Sequence, residues 1–202
     1  MNKTPVIFID FGGVYFKMPD GPVSRRFSKE FGVPQEKIMD ILMGSSWTAH
    51  ATGKWDEKTF WKHFSDKLNI SGKQTEKFRK ALYGYSFLNK GMALLIKRLK
   101  KKYRVAALSS IIVGWVEVLE KKYKISKRFH ENHYTYDHGV DKPSARFFRS
   151  AAKKMNVKPA DCIVVDDMKP FLAAVEKTGA RTILFKNARQ LEAQLKKMGV
   201  EI

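Results

Sequence analysis

The sequence predicts a doubly wound α/β domain, a parallel sheet with helices on both faces, and three observations carry the expectation. Four short segments, VIFI (6–9), VAAL (105–108), CIVV (162–165) and TILF (182–185), are almost wholly apolar on consecutive positions. Parallel strands buried on both faces read that way, whereas half-exposed strands alternate. Amphipathic helical patterns precede three of the four. The 202 residues, 44% of them hydrophobic, are enough for one sizeable core and too apolar for a disordered chain.

VIFI comes first and runs into Asp10, Phe11 and the glycine pair Gly12-Gly13. Residues 18–88 then break the rhythm. VSRRFSKEFG, EKIMDILMG, DEKTFWKHFSDKL and EKFRKALYGYSFL are helical patterns with no convincing strand among them. Some seventy residues is too long for one crossover helix, so a small helical cap domain of four helices is expected at 18–88. The Rossmann-like core is then 1–17 together with 89–202. GMALLIKRLKKK (91–102) is the helix before VAAL, which ends at Ser109-Ser110. SARFFRSAAKKM (144–155) is the helix before CIVV, which ends at Asp166-Asp167. Pro143 fits the first turn of the 144–155 helix, which puts Lys142 where loop becomes helix. PFLAAVEKTGA (170–180) is the helix before TILF, with Gly179 as its cap.

Composition narrows the function classes. No apolar stretch approaches the ~20 residues of a membrane helix, and no membrane role is expected. The single cysteine, Cys162, excludes an internal disulfide and suits a reducing, cytoplasmic setting. Lys and Arg number 39 against 20 Asp and Glu, a net charge of +19, so the chain attracts anions. Its basic runs, KRLKKKYR (97–104) and KKYKISKR (121–128), are dispersed rather than striped. A solvated surface is the expectation, with no nucleic-acid partner.

Three strands end in polar residues: Asp10, Ser109-Ser110 and Asp166-Asp167. In a parallel sheet these ends share the edge at which ligands bind. One such end is commonly a turn former; three together point to a site. Carboxylates brought so close repel one another, and a hard divalent cation such as Mg²⁺, which takes oxygen ligands, relieves them.

Asp10 in IFIDFGGV, Ser109 in VAALSS, Lys142 in VDKPSARFF and Asp166-Asp167 in CIVVDD resemble, in order, the four motifs of the haloacid-dehalogenase-like hydrolase superfamily. The inserted segment resembles the helical cap of the subgroup capped after the first strand. The resemblance implies an Mg²⁺-dependent phosphatase acting on a small phosphorylated metabolite. Asp10 would be the nucleophile and form an aspartyl-phosphate. Mg²⁺ would be held by Asp10, the backbone carbonyl of Gly12 and Asp167, with Asp166 acting through water. Ser109 and the Ser110 amide would hold phosphate oxygens, and Lys142 would neutralise charge on Asp10 and the phosphoryl group.

Two positions depart from the family pattern. Its phosphatases usually carry a second Asp two residues after the nucleophile, as acid and base; Gly12 stands there. Loss of such help typically costs about 10²–10⁴-fold. Phe171 replaces a polar Asn common among relatives, which reads as helix packing with a hydrogen bond lost. Trp47 and His50, in the segment GSSWTAHATGKW, are candidate specificity residues of a cap loop, and His50 is a candidate for the missing acid. His130, His133 and His138 lack the company a zinc site needs. Two other readings stand beside the phosphatase. One is a 2-haloacid dehalogenase, in which the acid pair is out of place. The other is a weakly catalytic relative that binds an anion, a nucleic acid or a partner.

Overall fold

The structure, a computed structural model, describes residues 4–17 and 20–202. The expected start of the insert at residue 18 lies outside them. Five parallel strands form the sheet: β1 (Val6–Ile9), β4 (Val105–Ser109), β5 (Glu131–Tyr134), β6 (Cys162–Asp166) and β7 (Arg181–Leu184), in the order β5-β4-β1-β6-β7. The first strand is central because every residue of it is buried on both sides. Ile7 and Ile9 pack into one apolar cluster and Val6 and Phe8 into another, across the sheet.

Helices α6 (Lys90–Leu99), α7 (Val113–Tyr123) and α11 (Ala188–Lys197) contribute to the first cluster. Helices α9 (Ala145–Lys154) and α10 (Lys169–Glu176) cover the other face with Phe147, Phe148, Phe171 and Val175. The strand pairing aligns the carboxyl ends of the strands. Ile9 is level with Ala107 on one side and Val165 on the other, so Asp10, Ser109 and Asp166 emerge together. The order of connection reverses around β1, which opens a crevice at that edge.

Five helices lie between β1 and α6: α1 (Asp20–Phe31), α2 (Gln35–Met43), α3 (Ser45–Ala51), α4 (Glu57–Leu68) and α5 (Gly72–Gly84). Their ends are locally encoded. Asp56 accepts from the Thr59 amide at the start of α4, and Asn69 closes that helix with left-handed backbone, φ 51°. Ser71 and Gln74 make a reciprocal capping box at the start of α5. A two-stranded antiparallel ribbon, β2 (Phe16–Lys17) with β3 (Phe87–Leu88), carries the chain out to these helices and back. The insert shares one continuous apolar cluster with the α6–α7 face of the core, Phe60, Phe64, Phe78 and Leu82 being wholly buried in it.

Several expectations are corrected. SSWTAHA forms α3, so the insert has five helices rather than four; its polar residues hid an apolar stripe too short to read. Strand β5, ENHY, falls in the segment HENHYTYDHGV, which reads as strand running into loop; it is not among the four apolar runs, because an edge strand has only one neighbour and tolerates polar residues. The last strand sits one residue earlier than TILF. Helix α10 ends at Glu176, and Gly179, at φ 90°, shapes the turn beyond it rather than capping it. Pro143 precedes the Ser144 cap of α9 instead of entering its first turn.

Candidate active site

At the sheet's carboxyl edge, Lys142 Nζ lies 2.7 Å from Asp10 Oδ1 and 2.7 Å from Asp166 Oδ2. All three residues are buried. The loop before α9 supplies the lysine, and β1 and β6 supply the acids. Taking an ammonium out of water is costly, and only a full set of partners makes it tolerable. Burial alone would lower the lysine's pKa; Asp10 and Asp166 outweigh it and hold Lys142 above its ordinary range, so it stays charged. Burial pushes Asp10 up to about 7, with Asp166 and Asp167 adding to the push and Lys142 opposing it.

Asp166 spends both oxygens: Oδ2 accepts from Lys142, and Oδ1 accepts from the Met168 amide at 2.8 Å. Asp167, the next residue, is exposed toward the crevice. Burial first, then Asp166, lifts its carboxyl above the usual range. Asp10, Asp166 and Asp167 each offer an oxygen within 4.8 Å of the others. Lys142 neutralises one charge among three, and the oxygen-only donor set fits a hard divalent cation.

The glycine pair has a geometric reason. Gly13 has left-handed backbone, φ 70°, and a Cβ there would collide with Asp167 Oδ2. The loop after β1 therefore crosses directly against the acid pair, which only glycine permits. Gly12 lines the same cavity and bridges to Phe16.

That cavity is ≈ 630 Å³. Its polar floor is Asp10, Gly12, Ser109, Ser110, Lys142 and Asp167. Its walls are apolar: Leu42, Met43, Trp47 and Leu82 from the insert, Trp115 and Met168 from the core. Trp47 and Trp115 stand edge to face, ring centres 6.3 Å apart. Trp47 thus lies where a specificity residue would. His50 does not line the cavity. It is buried inside the insert, stacked on Phe60, with Nδ1 3.0 Å from the Trp55 carbonyl and Nε2 3.5 Å from Glu57 Oε2. It cannot reach a leaving group from there. Glu57 also accepts from Tyr83 Oη at 2.8 Å and Trp61 Nε1 at 3.1 Å. Burial works against its ionisation, yet the His50, Tyr83 and Trp61 donors outweigh it and hold Glu57 at about 2.

Two residues of the site carry little signal in the sequence. Asp141 accepts from the Ser110 hydroxyl, and its other oxygen accepts from Thr48 Oγ1 on α3 at 3.1 Å. It thereby ties the insert to the core at the cavity's rim. An acid next to the Lys-Pro pair is its only sequence signal. Trp115, the other, carries no signal beyond being aromatic. Phe171, read in the sequence as helix packing, is fully buried and its ring lies 4.9 Å below Lys142 Nζ. The expected loss of a hydrogen bond is met by a cation–π contact. The histidines of 130–138 lie elsewhere: His130 Nδ1 accepts from the Val105 amide, and His138 Nδ1 pairs with Ser150 Oγ at 2.8 Å.

Comparison with known proteins agrees with this geometry. The chain is 23% identical over 204 residues to a flavin mononucleotide hydrolase of Arabidopsis thaliana, spanning all of this chain and 80% of that protein. A HAD family enzyme from Bacteroides thetaiotaomicron, solved in complex with magnesium and inorganic phosphate, superposes with a TM-score of 0.77 at 18% identity, covering 91% of this chain and 94% of that one. A predicted HAD-like hydrolase from Porphyromonas gingivalis gives 0.78 at 19% identity over 98% of both chains. The model of the haloacid dehalogenase-like hydrolases matches residues 22–170. With that match, the strand order and the motif residues at one edge, the chain belongs to the haloacid dehalogenase-like hydrolase family.

Proposed function

We propose that this protein is an Mg²⁺-dependent phosphatase that hydrolyses a small phosphorylated metabolite through a phosphoaspartate on Asp10. The observation that carries the reading is Lys142, clamped between Asp10 and Asp166 with Asp167 beside them. A buried ammonium on the nucleophile's own carboxylate suits attack on a dianion, and it opposes the push of burial on the Asp10 carboxyl.

The residues divide the work as follows. Asp10 attacks phosphorus with the oxygen that Lys142 does not bind, and the ester oxygen leaves. Water then attacks the phosphoaspartate, releasing phosphate and restoring the carboxylate. Ser109, the Ser110 amide and Lys142 hold the phosphoryl oxygens; the Ser110 hydroxyl is taken by Asp141. Asp10, Asp167 and the Gly12 carbonyl would hold Mg²⁺, with Asp166 acting through water, and the ion would offset the charge between nucleophile and phosphate. No acid stands at Gly12, so leaving groups that depart without a proton are favoured.

Residues 18–88 form the cap in this reading, and 1–17 with 89–202 the catalytic core. The apolar wall, with Trp47 and Trp115 edge to face, suits a leaving group that carries a ring or another flat apolar part. The relative's named substrate, flavin mononucleotide, is of that kind and is the first compound to test. Purified protein is assayed for phosphate release from flavin mononucleotide, p-nitrophenyl phosphate and a simple alkyl phosphate, with Mg²⁺ and with EDTA. Mg²⁺-dependent release, fastest for the aromatic esters and lost in Asp10→Asn, is expected. Release that survives EDTA or Asp10→Asn, or none from any ester, overturns the proposal.

A further inference from the structure

A second cavity, of ≈ 410 Å³, shares no lining residue with the first. Lys97 and Lys100, at the end of α6, face Lys124, Lys127 and Arg128, which follow α7. Among the described residues no acidic one lines it. Nearby basic residues are neutralised: Arg98 by Glu192, Lys102 by Glu201, Arg104 by Glu131. Among the described residues none of the five lining cations makes an ion pair. Lys100 Nζ donates to the Lys127 carbonyl and Arg128 Nε to the Tyr123 carbonyl, neutral acceptors that leave both charges uncompensated. Like charges crowded this way repel unless something anionic sits among them.

The second observation is Tyr15, which lines the same cavity. It is wholly buried, its ring held by Phe11, Phe16 and Phe129. Among the described residues its hydroxyl has no hydrogen-bond partner. Buried hydroxyls are nearly always paired, and one left without a partner asks for an explanation. Burial raises its pKa while Arg128 pulls it down, which places the hydroxyl within the field of the basic cluster.

We propose that this cavity binds a small anion carrying two or more phosphate groups, with the cations taking the charge and Tyr15 Oη donating to an oxygen. Five cations exceed what one phosphate would neutralise. A cavity of ≈ 410 Å³ suits a small molecule, not a duplex. The site also bears on the catalytic loop. Tyr15 lies five residues after Asp10, and its carbonyl accepts from the amide of Asn89, the residue that caps α6. An occupant would brace the segment joining the nucleophile to the insert.

The experiment is calorimetric titration of the full chain with inorganic tripolyphosphate in EDTA at physiological salt. No turnover is needed, so the outcome is independent of the phosphatase proposal. One saturable site is expected. Lys97→Gln/Lys124→Gln/Lys127→Gln should weaken it at least tenfold. Tyr15→Phe, which removes only an unpartnered hydroxyl, should melt no lower than wild type and bind several-fold more weakly. Asp10→Asn should bind like wild type. No saturable binding, an unchanged affinity in the triple variant or in Tyr15→Phe, or a loss in Asp10→Asn overturns the proposal.

Discussion

Replacing Lys142 with Met removes the ammonium while keeping an unbranched side chain of similar length. Asp10 and Asp166 are then left facing each other, 8% and 1% exposed at the side chain. Each lost contact is 2.7 Å long, worth about 6 kcal/mol of gross Coulomb energy at an effective dielectric of 20. Most of that gross energy offsets desolvation in the native protein, so the two terms do not add to 12. What the variant loses is compensation for two buried charges. Breaking a buried pair on one side costs roughly 3–5 kcal/mol, and a chain of this length loses roughly 2–4 °C per kcal/mol. The melting temperature should therefore fall by about 6–20 °C.

The pH dependence has a definite sign. Without Lys142 the Asp10 carboxyl, already raised to about 7, goes higher. A carboxyl raised in the folded state destabilises above its unfolded value, because the native protein must bind a proton that the unfolded chain does not need. The stability gap between wild type and Lys142→Met should thus be large at pH 8 and narrow toward pH 4. Urea unfolding in EDTA at several pH values, with no divalent ion to substitute for the lysine, reads this directly. Adding Asp166→Asn should recover much of the loss. A gap below about 1 kcal/mol at pH 8, or one that widens on acidification, would refute the clamp.

Other consequences follow from single contacts. Gly13→Ala places a Cβ against Asp167 and costs about 1–2 kcal/mol for left-handed backbone alone; the Mg²⁺ concentration for half-maximal phosphate release should rise at least tenfold, and an unchanged requirement would separate Asp167 from the metal. Phe171→Leu stays apolar but removes the ring beneath Lys142, with a loss of ~0.5–2 kcal/mol from the cation–π contact; kcat should fall about 2–30-fold with little change in KM, and a loss confined to KM would contradict a role in steadying Lys142. His138, pulled down to about 4 by burial first and then by Lys154 and His133, is neutral in the fold and protonated when unfolded between about pH 4 and 6.5. Its contribution is present above that window and lost as pH falls through it, so melting curves of His138→Gln should decline less from pH 7 to pH 4.5 than those of wild type.

The acidic edge was legible in the chain for a physical reason. A four-residue run apolar on every position and flanked by polar residues is too short for a helix and suits a strand covered on both faces, and the first polar residue after it marks where the strand leaves the sheet. Asp10, Ser109 and Asp166 each stand at such a point, and parallel register makes them coincide. The helices of the insert were legible where a wide apolar stripe repeats. What depends on both sides of a fold at once was not. Strand β5 reads as strand running into loop, but its place in the sheet is hidden because it pairs on one side alone and stays polar. SSWTAHA is helical because its few apolar residues find Phe60 and Trp115, which no local pattern announces. His50 and Trp47 are three residues apart on one helix, yet packing turns one into the insert and the other toward the cavity. Thr48 meets Asp141 across 93 residues, and Phe171 meets Lys142 through the loop before α9. A strand end is set by local covering, so the sequence determined which acids line the edge. The partners that clamp, stack and close over those acids come from distant segments, and only the packed chain decided them.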